Sequence, residues 1–248
     1  MSGRFRLKAR EWLDVPERKR AFNERHFAEA ARRYDLATQM MSLGRDAAWK
    51  RALVEALPGL PHPVCVDLAC GTGDVAFLLA GRYPGGVVTG VDLSGPMLAI
   101  ARERNRFPNV RFERGDLCDL PFPGGSADIV TGSYALRNAP DLRKAVAEVQ
   151  RVLKPGGVAG LLDFSNPERA LFRHLQYRLL RGWCGLWGIL LHGTPEIHGY
   201  VAESLRAFPA RSRLREIFRE HGFGMRADRR FFLGITGMLI LRKGSSGG

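Results

Sequence analysis

The chain of 248 residues has an ordinary hydrophobic content of 45%, a charged content of 25% and a mean hydropathy of −0.16. These values predict one large globular domain with at most one insertion, and they exclude a polytopic membrane protein. The formal net charge of +13 and the pI near 10.3 favour an anionic partner, either a nucleic acid or an acidic lipid surface, unless the whole proteome is arginine-rich. From Asn166 onward there are 14 Lys and Arg against 6 Asp and Glu, so such a contact is expected in the last third of the chain.

Cysteine usage and the N-terminal sequence bear on the compartment. The four cysteines show neither Cys-x-x-Cys spacing nor His partners at metal-ligand spacing, so we expect buried free thiols, a reducing compartment and no metal site. Residues 1–23 are basic but lack the apolar segment of a secretory signal. We interpret them as a basic arm or a short helix, and the protein as cytoplasmic.

Apolar spacing predicts two helices before the first strand. The segment from Phe27 to Tyr34 has apolar residues at helical intervals, and a second periodic segment covers 47–57. An apolar run from Val64 to Leu68 follows, which is typical of a buried strand.

Directly after this run a glycine loop leads into a predicted helix, 74–82. Gly71 and Gly73 lack a Cβ atom, so the backbone can turn sharply and let a ligand lie against it. Asp67 and Asp74 flank the loop, and two carboxylates repel the pyrophosphate of a dinucleotide but suit the cationic sulfonium and ammonium groups of S-adenosylmethionine. The loop therefore favours S-adenosylmethionine as cofactor, with a purely structural turn as the alternative.

Two further strand ends bring carboxylates to the same edge of the predicted sheet. Asp92 ends the strand 87–91, where it is placed to accept hydrogen bonds from both ribose hydroxyls; a helix N-cap is the alternative. Asp116 and Leu117 follow the strand 110–114. There the carboxylate is placed to accept from the exocyclic amine of an adenine and the leucine to pack against its face, with a simple turn role as the alternative.

The next elements continue a strand and helix alternation. The strand 127–132 delivers the segment 133–138 to the same edge of the sheet. Asp141 then begins an amphipathic helix that ends near Leu153, and the strand 158–162 follows. These repeats predict an α/β fold with a parallel sheet.

The last third of the chain interrupts this alternation. Residues 164–205 are apolar and aromatic, and we interpret them as an insertion or lid, after which a helix is predicted at 211–221. A turn at Gly234 joins two strands, the last of them 236–241, so we expect a closing antiparallel hairpin. The glycine-rich residues 244–248 are expected to form a disordered tail.

Two motifs are much more specific than the glycine loop. Leu136-Arg137-Asn138 follows the fourth predicted strand, and Ala202-Glu203-Ser204-Leu205-Arg206 lies in the insertion. With them, the sequence from Phe27 to Leu241 resembles the class I S-adenosylmethionine-dependent methyltransferases. Among these it is most similar to the quinone-biosynthesis C-methyltransferases that act on demethylmenaquinol and on 2-polyprenyl-6-methoxybenzoquinol. The sequence departs from the family in two places: it has Thr38 where the family usually has Asn, and it matches weakly over 171–197. These departures concern the identity of the acceptor and not that of the cofactor.

The resemblance implies a Rossmann-like fold with a mostly parallel seven-stranded sheet, an antiparallel last strand, helices on both faces, N-terminal helices and a helical insertion after strand five. It places the methyltransferase domain at 24–243. In this family the cofactor is bound at positions that match Thr72, Asp92, Asp116, Leu117 and Ser133. From the loop and the resemblance together, the expected cofactor-binding residues are Asp67, Gly71, Thr72, Gly73, Asp92, Asp116, Leu117 and Ser133.

The implied reaction is C-methylation of a prenylated quinol, which requires alignment of the ring with the methyl group and loss of a phenolic proton. Arg137 is expected to stabilise the phenolate, with a structural ion pair as the alternative. Tyr34 is expected to belong to a helical lid and to hydrogen-bond a ring oxygen, with a core tyrosine as the alternative. His192 and His198 are candidate bases.

Other partners are weighed beside the quinol. One alternative acceptor is another small aromatic or lipid-like molecule. A basic nucleic-acid-binding protein is the alternative of a different class, but no base-flipping motif is present, so nucleic acid is not an expected partner. Residues 171–191 combine Trp183 and Trp187 with nearby arginines, which predicts peripheral contact with an anionic membrane or, alternatively, the inward core of the lid. A homodimer is also left open.

Overall fold

The computed structural model describes residues 15–244 of the chain. Its strands are β1 (Val64–Leu68), β2 (Val87–Asp92), β3 (Val110–Arg114), β4 (Ala127–Ser133), β5 (Leu153–Phe164), β6 (Phe223–Phe231) and β7 (Thr236–Lys243). Its α-helices are α1 (Pro16–Ala30), α2 (Tyr34–Met41), α3 (Asp46–Glu55), α4 (Asp74–Arg82), α5 (Gly95–Arg104), α6 (Leu142–Val152), α7 (Ala170–His192), α8 (Glu196–Ala207) and α9 (Arg211–Glu220). Short 3-10 turns cover Ala31–Arg33, Leu136–Asn138 and Phe232–Gly234.

The strands of this part of the chain form one sheet in the order β3-β2-β1-β4-β5-β7-β6. β1 pairs in parallel with β2 and β4, β2 with β3, and β4 with β5, whereas β7 is antiparallel to both β5 and β6. The fold class predicted from the sequence is confirmed, including the antiparallel last strand and the closing hairpin. The strand order reverses between β1 and β4, and the crevice at their carboxyl ends is where ligands bind in such sheets.

Three helices, not the predicted two, precede β1 in the described residues. The 3-10 turn at Ala31–Arg33 separates α1 from α2. Apolar spacing does not reveal this break because Phe27 and Tyr34, on its two sides, line the same cavity. The side chains thus face the same cavity on both sides of the 3-10 turn.

The first helix begins earlier than the sequence suggested. α1 starts at Pro16, inside the segment 1–23 that was interpreted as a basic arm or a short helix, so the helical alternative applies from Pro16 onward, and proline suits the first turn of a helix. Lys19, Phe22 and Asn23 are buried, so this stretch packs onto the domain. Residues 1–14, which hold the rest of the predicted arm, lie outside the described residues, as do 245–248 of the predicted tail.

Helices cover both faces of the sheet. On one face, α6 and α9 contribute the fully buried Val149 and Phe218. On the other face, α3, α4 and α5 contribute Leu53, Leu79 and Leu98. Each of these side chains stabilises the fold by roughly 1.5–3 kcal/mol through removal of apolar surface from water. The two cores hold the strand ends, and therefore the site, in fixed positions.

The insertion after β5 consists of α7 and α8, which pack against each other. Their connection is short, and Gly188 lets it approach closely, because a Cβ atom there would lie 2.6 Å from the carbonyl oxygen of Thr194. Within residues 15–244 no helix has both the length and the apolar character needed to cross a bilayer. All four cysteines are free and buried, as predicted.

Candidate functional site

The glycine loop follows β1 and turns sharply back toward the sheet edge. Ala69, Gly71 and Gly73 all have positive φ angles, of 46°, 54° and 96°. A Cβ atom on Gly73 would lie 2.7 Å from Cζ of Phe77, and a residue with a Cβ atom rarely adopts its φ, so both features favour glycine there. A Cβ atom on Gly71 would lie 4.0 Å from Cε1 of Tyr34, which places the tyrosine ring over the loop.

Asp92 connects the end of β2 to this loop. Its Oδ2 accepts a 2.8 Å hydrogen bond from the Gly71 amide, and its Oδ1 accepts a 2.8 Å bond from the Ser94 amide. The N-cap of α5 is Ser94, whose hydroxyl accepts from the Met97 amide, so the capping alternative for Asp92 does not apply. Burial raises the pKa of the Asp92 carboxyl.

A cleft at the carboxyl edge of the sheet gathers most of the expected cofactor residues. The main part of this cofactor cleft is lined by Gly71, Asp92, Asp116, Leu117 and Ser133, and also by Phe27, Tyr34, Tyr134 and Asn138. An adjoining recess shares Gly71 and Ser133 with it and is also lined by Asp67 and Thr72. Gly73 shapes the loop but lies outside both linings.

Three buried polar atoms at this cleft have no hydrogen-bond partner in the described residues: Oδ2 of Asp67, Oγ of Ser133 and Oδ1 of Asn138. Buried polar atoms are normally paired, so these three are suited to the polar groups of a ligand. Burial raises the pKa of Asp67 to about 7, against the opposing effect of a 2.7 Å hydrogen bond from the Thr131 hydroxyl. The residues present therefore fit a ligand with both hydroxyl and cationic groups.

The charge of Asp74 is compensated, contrary to the expectation of a doubly acidic loop. Its carboxylate pairs with Lys50 at 3.0 Å and with Arg104 at 2.8 Å. Lys50 also pairs with Asp46 at 2.6 Å. The cations come from α3 and α5, distant in sequence, so spacing along the loop does not reveal them. Asp67 and Asp92 are the carboxylates left to attract a cationic ligand.

Two other expected cofactor residues contact the N-terminal helices. The Thr72 hydroxyl donates a 2.6 Å hydrogen bond to Asp35 of α2. Asp116 pairs with Arg20 of α1 at 3.1 Å, while its Oδ1 accepts from the Cys118 amide. A ligand amine at Asp116 would therefore compete with a half-exposed arginine.

α1 is also tied to the opposite wall of the cleft. Lys19 Nζ donates to the carbonyl oxygen of Arg137 at 3.1 Å, and Asn23 Nδ2 donates to that of Asn138 at 2.6 Å. The Tyr200 hydroxyl of α8 donates to Asn23 Oδ1 at 2.7 Å. These bonds hold α1 across the cleft as a cover.

A second cavity of about 350 Å³ adjoins the cofactor cleft and is referred to below as the acceptor cavity. Phe27, Tyr34 and Tyr134 line both spaces, so the two meet at these rings. Most of its other walls are apolar or aromatic, including Trp49 and Phe164. Its size is that of a small-molecule site.

Arg137 lines the acceptor cavity and is also held by an ion pair, so the ion-pair alternative is confirmed and the phenolate role stays a prediction. Its Nε lies 3.5 Å from Asp163 Oδ1, and Nη1 donates to the Ser204 hydroxyl. The guanidinium lies over the rings of Phe164 and Tyr200, at 5.3 and 5.8 Å from their centroids. A buried, fixed cation therefore faces a largely apolar cavity.

Tyr34 lies where both spaces meet, on α2, which covers the glycine loop. Burial raises its pKa to about 12, so its hydroxyl stays protonated at neutral pH and is available as a donor. Tyr134, which the sequence analysis did not single out, has a φ of 58° and donates a 2.8 Å hydrogen bond to Asp46. Such backbone strain clusters at functional sites, but no sequence pattern announces it.

The histidines form a group at the far wall. His198 lines the acceptor cavity and packs edge-on against His192, with ring centroids 5.1 Å apart, whereas His192 is not part of the lining. His26, which the sequence analysis missed, also lines it and packs 4.8 Å from the Tyr200 ring. Burial lowers the pKa of His26 to about 3 and that of His198 to about 4, so both are neutral. The helical spacing of His26 with Tyr34 was the signal that was available.

Comparison with known proteins agrees with this geometry. Residues 16–242 match the model of the ubiE/COQ5 methyltransferase family. The demethylmenaquinone methyltransferase of Thermus thermophilus is 41% identical over 82% of this chain and 93% of that protein. The 2-phytyl-1,4-naphtoquinone methyltransferase of a Nostoc species is 34% identical over 85% of this chain and 93% of that protein.

Among solved structures, an S-adenosylmethionine dependent methyltransferase from Mesorhizobium loti aligns with a TM-score of 0.59 at 21% identity, over 79% of this chain and 98% of that one. This likeness supports the fold alone. The family match, by contrast, spans the glycine loop, the motif around Arg137 and the insertion. On that evidence the chain belongs to the ubiE/COQ5 methyltransferase family.

Proposed function

We propose that the protein transfers a methyl group from S-adenosylmethionine to a ring carbon of a prenylated quinol, with demethylmenaquinol as the first candidate and a polyprenyl methoxybenzoquinol as the second. The observation that supports this most is the direct contact between the cofactor cleft and the acceptor cavity. An apolar, aromatic space of about 350 Å³ accommodates an aromatic ring and the start of a hydrocarbon chain. The names of the related proteins point to the same acceptor class.

The expected cofactor contacts follow from the cleft. S-adenosylmethionine supplies an electrophilic methyl group on a sulfonium. Asp92 would accept from the ribose hydroxyls, and Asp116 with Leu117 would hold the adenine. Asp67 and Ser133, each with an unpartnered buried oxygen, would take the polar groups of the methionine part. Gly71 and Thr72 would supply backbone close to the ligand.

The acceptor chemistry rests on two side chains that line the acceptor cavity. Arg137, a fixed cation in an apolar setting, would stabilise negative charge on the ring oxygen and so make the adjacent ring carbon nucleophilic. Tyr34, protonated and placed where the two spaces meet, would donate a hydrogen bond to a ring oxygen and orient the ring. With an acceptor bound, the aromatic walls would limit the access of water, which would strengthen both interactions.

A labelled methyl transfer assay tests this function. The purified protein is incubated with isotopically labelled S-adenosylmethionine and, separately, with demethylmenaquinol, a polyprenyl methoxybenzoquinol, a small soluble phenol and RNA. We expect label in the first or second acceptor and none in RNA. Label in RNA alone, or only in the soluble phenol, would contradict the proposal.

We also propose that α7 brings the protein to an anionic membrane, because a polyprenyl quinol resides in the bilayer. Large apolar side chains exposed by 48–75% cover about a third of the circumference of α7. This α7 apolar face consists of Leu171, Phe172, Leu175, Leu179, Leu186, Ile189 and Leu190. Arg173 and Arg178 lie exposed on the same helix, and Arg173 contributes to the lowered pKa of the Glu168 carboxyl.

The two tryptophans contribute less to that surface than expected. Trp183 is 36% exposed, lines the acceptor cavity and donates to the Met41 carbonyl oxygen at 3.1 Å. Trp187 packs edge-on against Trp183 and is half-buried, so part of its side chain is removed from the surface. Replacing Leu175 and Leu179 is therefore a sharper test than replacing the tryptophans. In vesicle flotation the Leu175→Ser/Leu179→Ser variant should bind anionic vesicles less tightly than the wild type, and equal binding would reject this surface.

A homodimer stays a prediction, for light scattering to check.

A further inference from the structure

The tip of the β6–β7 hairpin exposes two large apolar side chains. Leu233 is 103% exposed and Phe232 is 40% exposed. Both have positive φ angles, of 55° and 48°, in a region that residues with a Cβ atom rarely adopt. The turn thus holds a strained backbone, and the Leu233 side chain gains no burial from the fold, whereas the Phe232 ring contacts Trp49 at a centroid distance of 6.2 Å. Neither the strained backbone nor the exposed Leu233 side chain stabilises the protein in solution.

The tip lies at the opening of the acceptor cavity. Residues that both line this cavity and are substantially exposed mark where it opens, and they are Leu43, Leu179, Trp183 and Phe232. They come from three separate segments: the turn between α2 and α3, the helix α7 and the hairpin tip. Leu43 is 57% exposed and, like the tip residues, has a positive φ. Exposed apolar side chains therefore border one opening from several sides.

Cations accompany the tip. Arg229 and Arg230 precede it and are exposed, and neither pairs with a carboxylate in the described part of the chain. Arg230 lies against the tip, since a Cβ atom on Gly234 would be 3.8 Å from its Cδ. Apolar side chains that protrude beside arginines suit the interface of an anionic bilayer. There the apolar side chains enter the acyl region and the arginines contact lipid phosphates.

We propose that Phe232 and Leu233 form a membrane-insertion tip, which together with the α7 apolar face seats the opening of the acceptor cavity on an anionic phospholipid bilayer. The inference rests on the proposed function in one respect: the quinol ring enters the acceptor cavity while its polyprenyl chain stays in the lipid. A protein partner on this surface would cover the opening through which the acceptor must pass. A bilayer supplies the acceptor there.

Vesicle binding of Leu233→Gly tests the tip. Glycine accepts a positive φ, so this variant keeps the turn and loses only the apolar side chain. The matched control is Leu60→Gly, at an apolar residue that is 37% exposed in the loop before β1. We expect Leu233→Gly to bind phosphatidylcholine vesicles containing phosphatidylglycerol about tenfold less tightly, from the loss of one inserted leucine, and the control to bind like the wild type. Thermal unfolding checks that both variants are folded.

Leu233→Trp gives a second readout. If the tip enters the acyl region, vesicles with brominated acyl chains should quench a larger fraction of the tryptophan fluorescence of Leu233→Trp than of the wild type. Wild-type binding by Leu233→Gly, or no added quenching in Leu233→Trp, would overturn the inference. Binding unaffected by removal of phosphatidylglycerol would overturn its anionic part.

An activity measurement separates this inference from the proposed function. Leu233 lies outside the acceptor cavity lining, so Leu233→Gly should methylate a short-chain, water-soluble quinol at the wild-type rate and lose activity only toward long-chain quinol in vesicles. If the wild type methylates no quinol while Leu233→Gly still loses vesicle binding, the tip is supported and the proposed function fails. If both proteins methylate vesicle-borne quinol equally, the tip is rejected and the function stands.

Discussion

The hydroxyl of Thr72 donates a 2.6 Å hydrogen bond to Asp35, which fastens α2 onto the glycine loop. Arg104 extends this connection, because its guanidinium pairs with Asp35 at 2.9 Å and with Asp74 at 2.8 Å. The same guanidinium donates to the Thr72 carbonyl oxygen at 3.0 Å. The helix that brings Tyr34 over the loop is therefore held by one small polar network, and we expect this network to open when a bound cofactor is exchanged.

Removal of the Asp35 carboxylate should speed cofactor release. Asp35→Ala loses a charge-assisted hydrogen bond and a partly exposed ion pair, together worth about 1 kcal/mol, or about fivefold in the dissociation rate. Stopped-flow fluorescence of S-adenosylhomocysteine release measures this rate. Glu103→Ala, at an exposed residue of α5, is the control. A release rate equal to that of the control would show that α2 does not retain the cofactor.

Asp92→Ala should weaken S-adenosylmethionine binding by roughly 1–3 kcal/mol, about 5- to 150-fold, because two ribose hydroxyls lose a charged acceptor and the Gly71 and Ser94 amides lose theirs. Isothermal calorimetry gives the affinity. Asp119→Ala removes an exposed carboxylate from the neighbouring loop and should bind as the wild type does. If a folded Asp92→Ala protein keeps full affinity, Asp92 does not belong to the cofactor site.

Asp67 should make cofactor binding depend on pH near neutrality. Burial raises its pKa to about 7 from 3.8, so the protonated form dominates below pH 7 in the free protein. A bound cation favours the carboxylate, so binding should tighten from pH 6 to pH 8 and release protons, and Asp67→Asn should flatten this dependence. Calorimetry in buffers of different ionisation enthalpy counts the protons. Binding of the wild type that is equally tight at both pH values would refute this.

Asp67 should affect folding stability with the opposite pH dependence to cofactor binding. Because the folded pKa of Asp67 is raised, its contribution to the stability of the ligand-free protein is complete below about pH 4 and is lost as the pH rises to about 7. Asp67→Asn should therefore unfold at a higher denaturant concentration than the wild type at pH 8, with little difference at pH 4.

Arg137 requires a conservative variant. Arg137→Ala leaves Asp163 buried without its cation, a change of about 3–5 kcal/mol that confounds activity with folding. Arg137→Lys keeps the charge but loses the guanidinium geometry, and it should lower turnover at least about tenfold with nearly unchanged cofactor affinity. Ser204→Ala, which removes a partner of Arg137 and not the cation, should lower turnover less. Loss of cofactor affinity in Arg137→Lys would argue against the phenolate role.

Local patterns were enough to predict the central part of the fold and of the cofactor cleft. In a parallel sheet the residues after each strand meet at one edge, so Asp92, Asp116 and Ser133 could be assigned to a common cleft from strand order alone. The hairpin was likewise predictable, because the turn residue Gly234 lies directly before the apolar strand β7 and follows a second strand-like segment. Such inferences need only the period of the sequence and the direction of each strand.

Contacts between distant segments could not be predicted in this way. The compensation of Asp74 depends on Lys50 and Arg104, which approach only once α3 and α5 pack beside the loop. The burial of Lys19 depends on its bond to the Arg137 carbonyl, more than a hundred residues away. The exposed tip at Leu233 depends on a backbone angle that leaves no periodic signal. Tertiary packing, not propensity, decides these features.

The position of the transferred methyl group tests the account most directly. The protein is given S-adenosylmethionine with a carbon-13 methyl group and demethylmenaquinol under reducing conditions, and the product is analysed by carbon-13 NMR. If Arg137 holds a phenolate beside the cofactor cleft, the label is expected on the ring carbon next to the hydroxyl. Label on the hydroxyl oxygen, or an unmethylated quinol recovered from a protein that binds the cofactor, would contradict it.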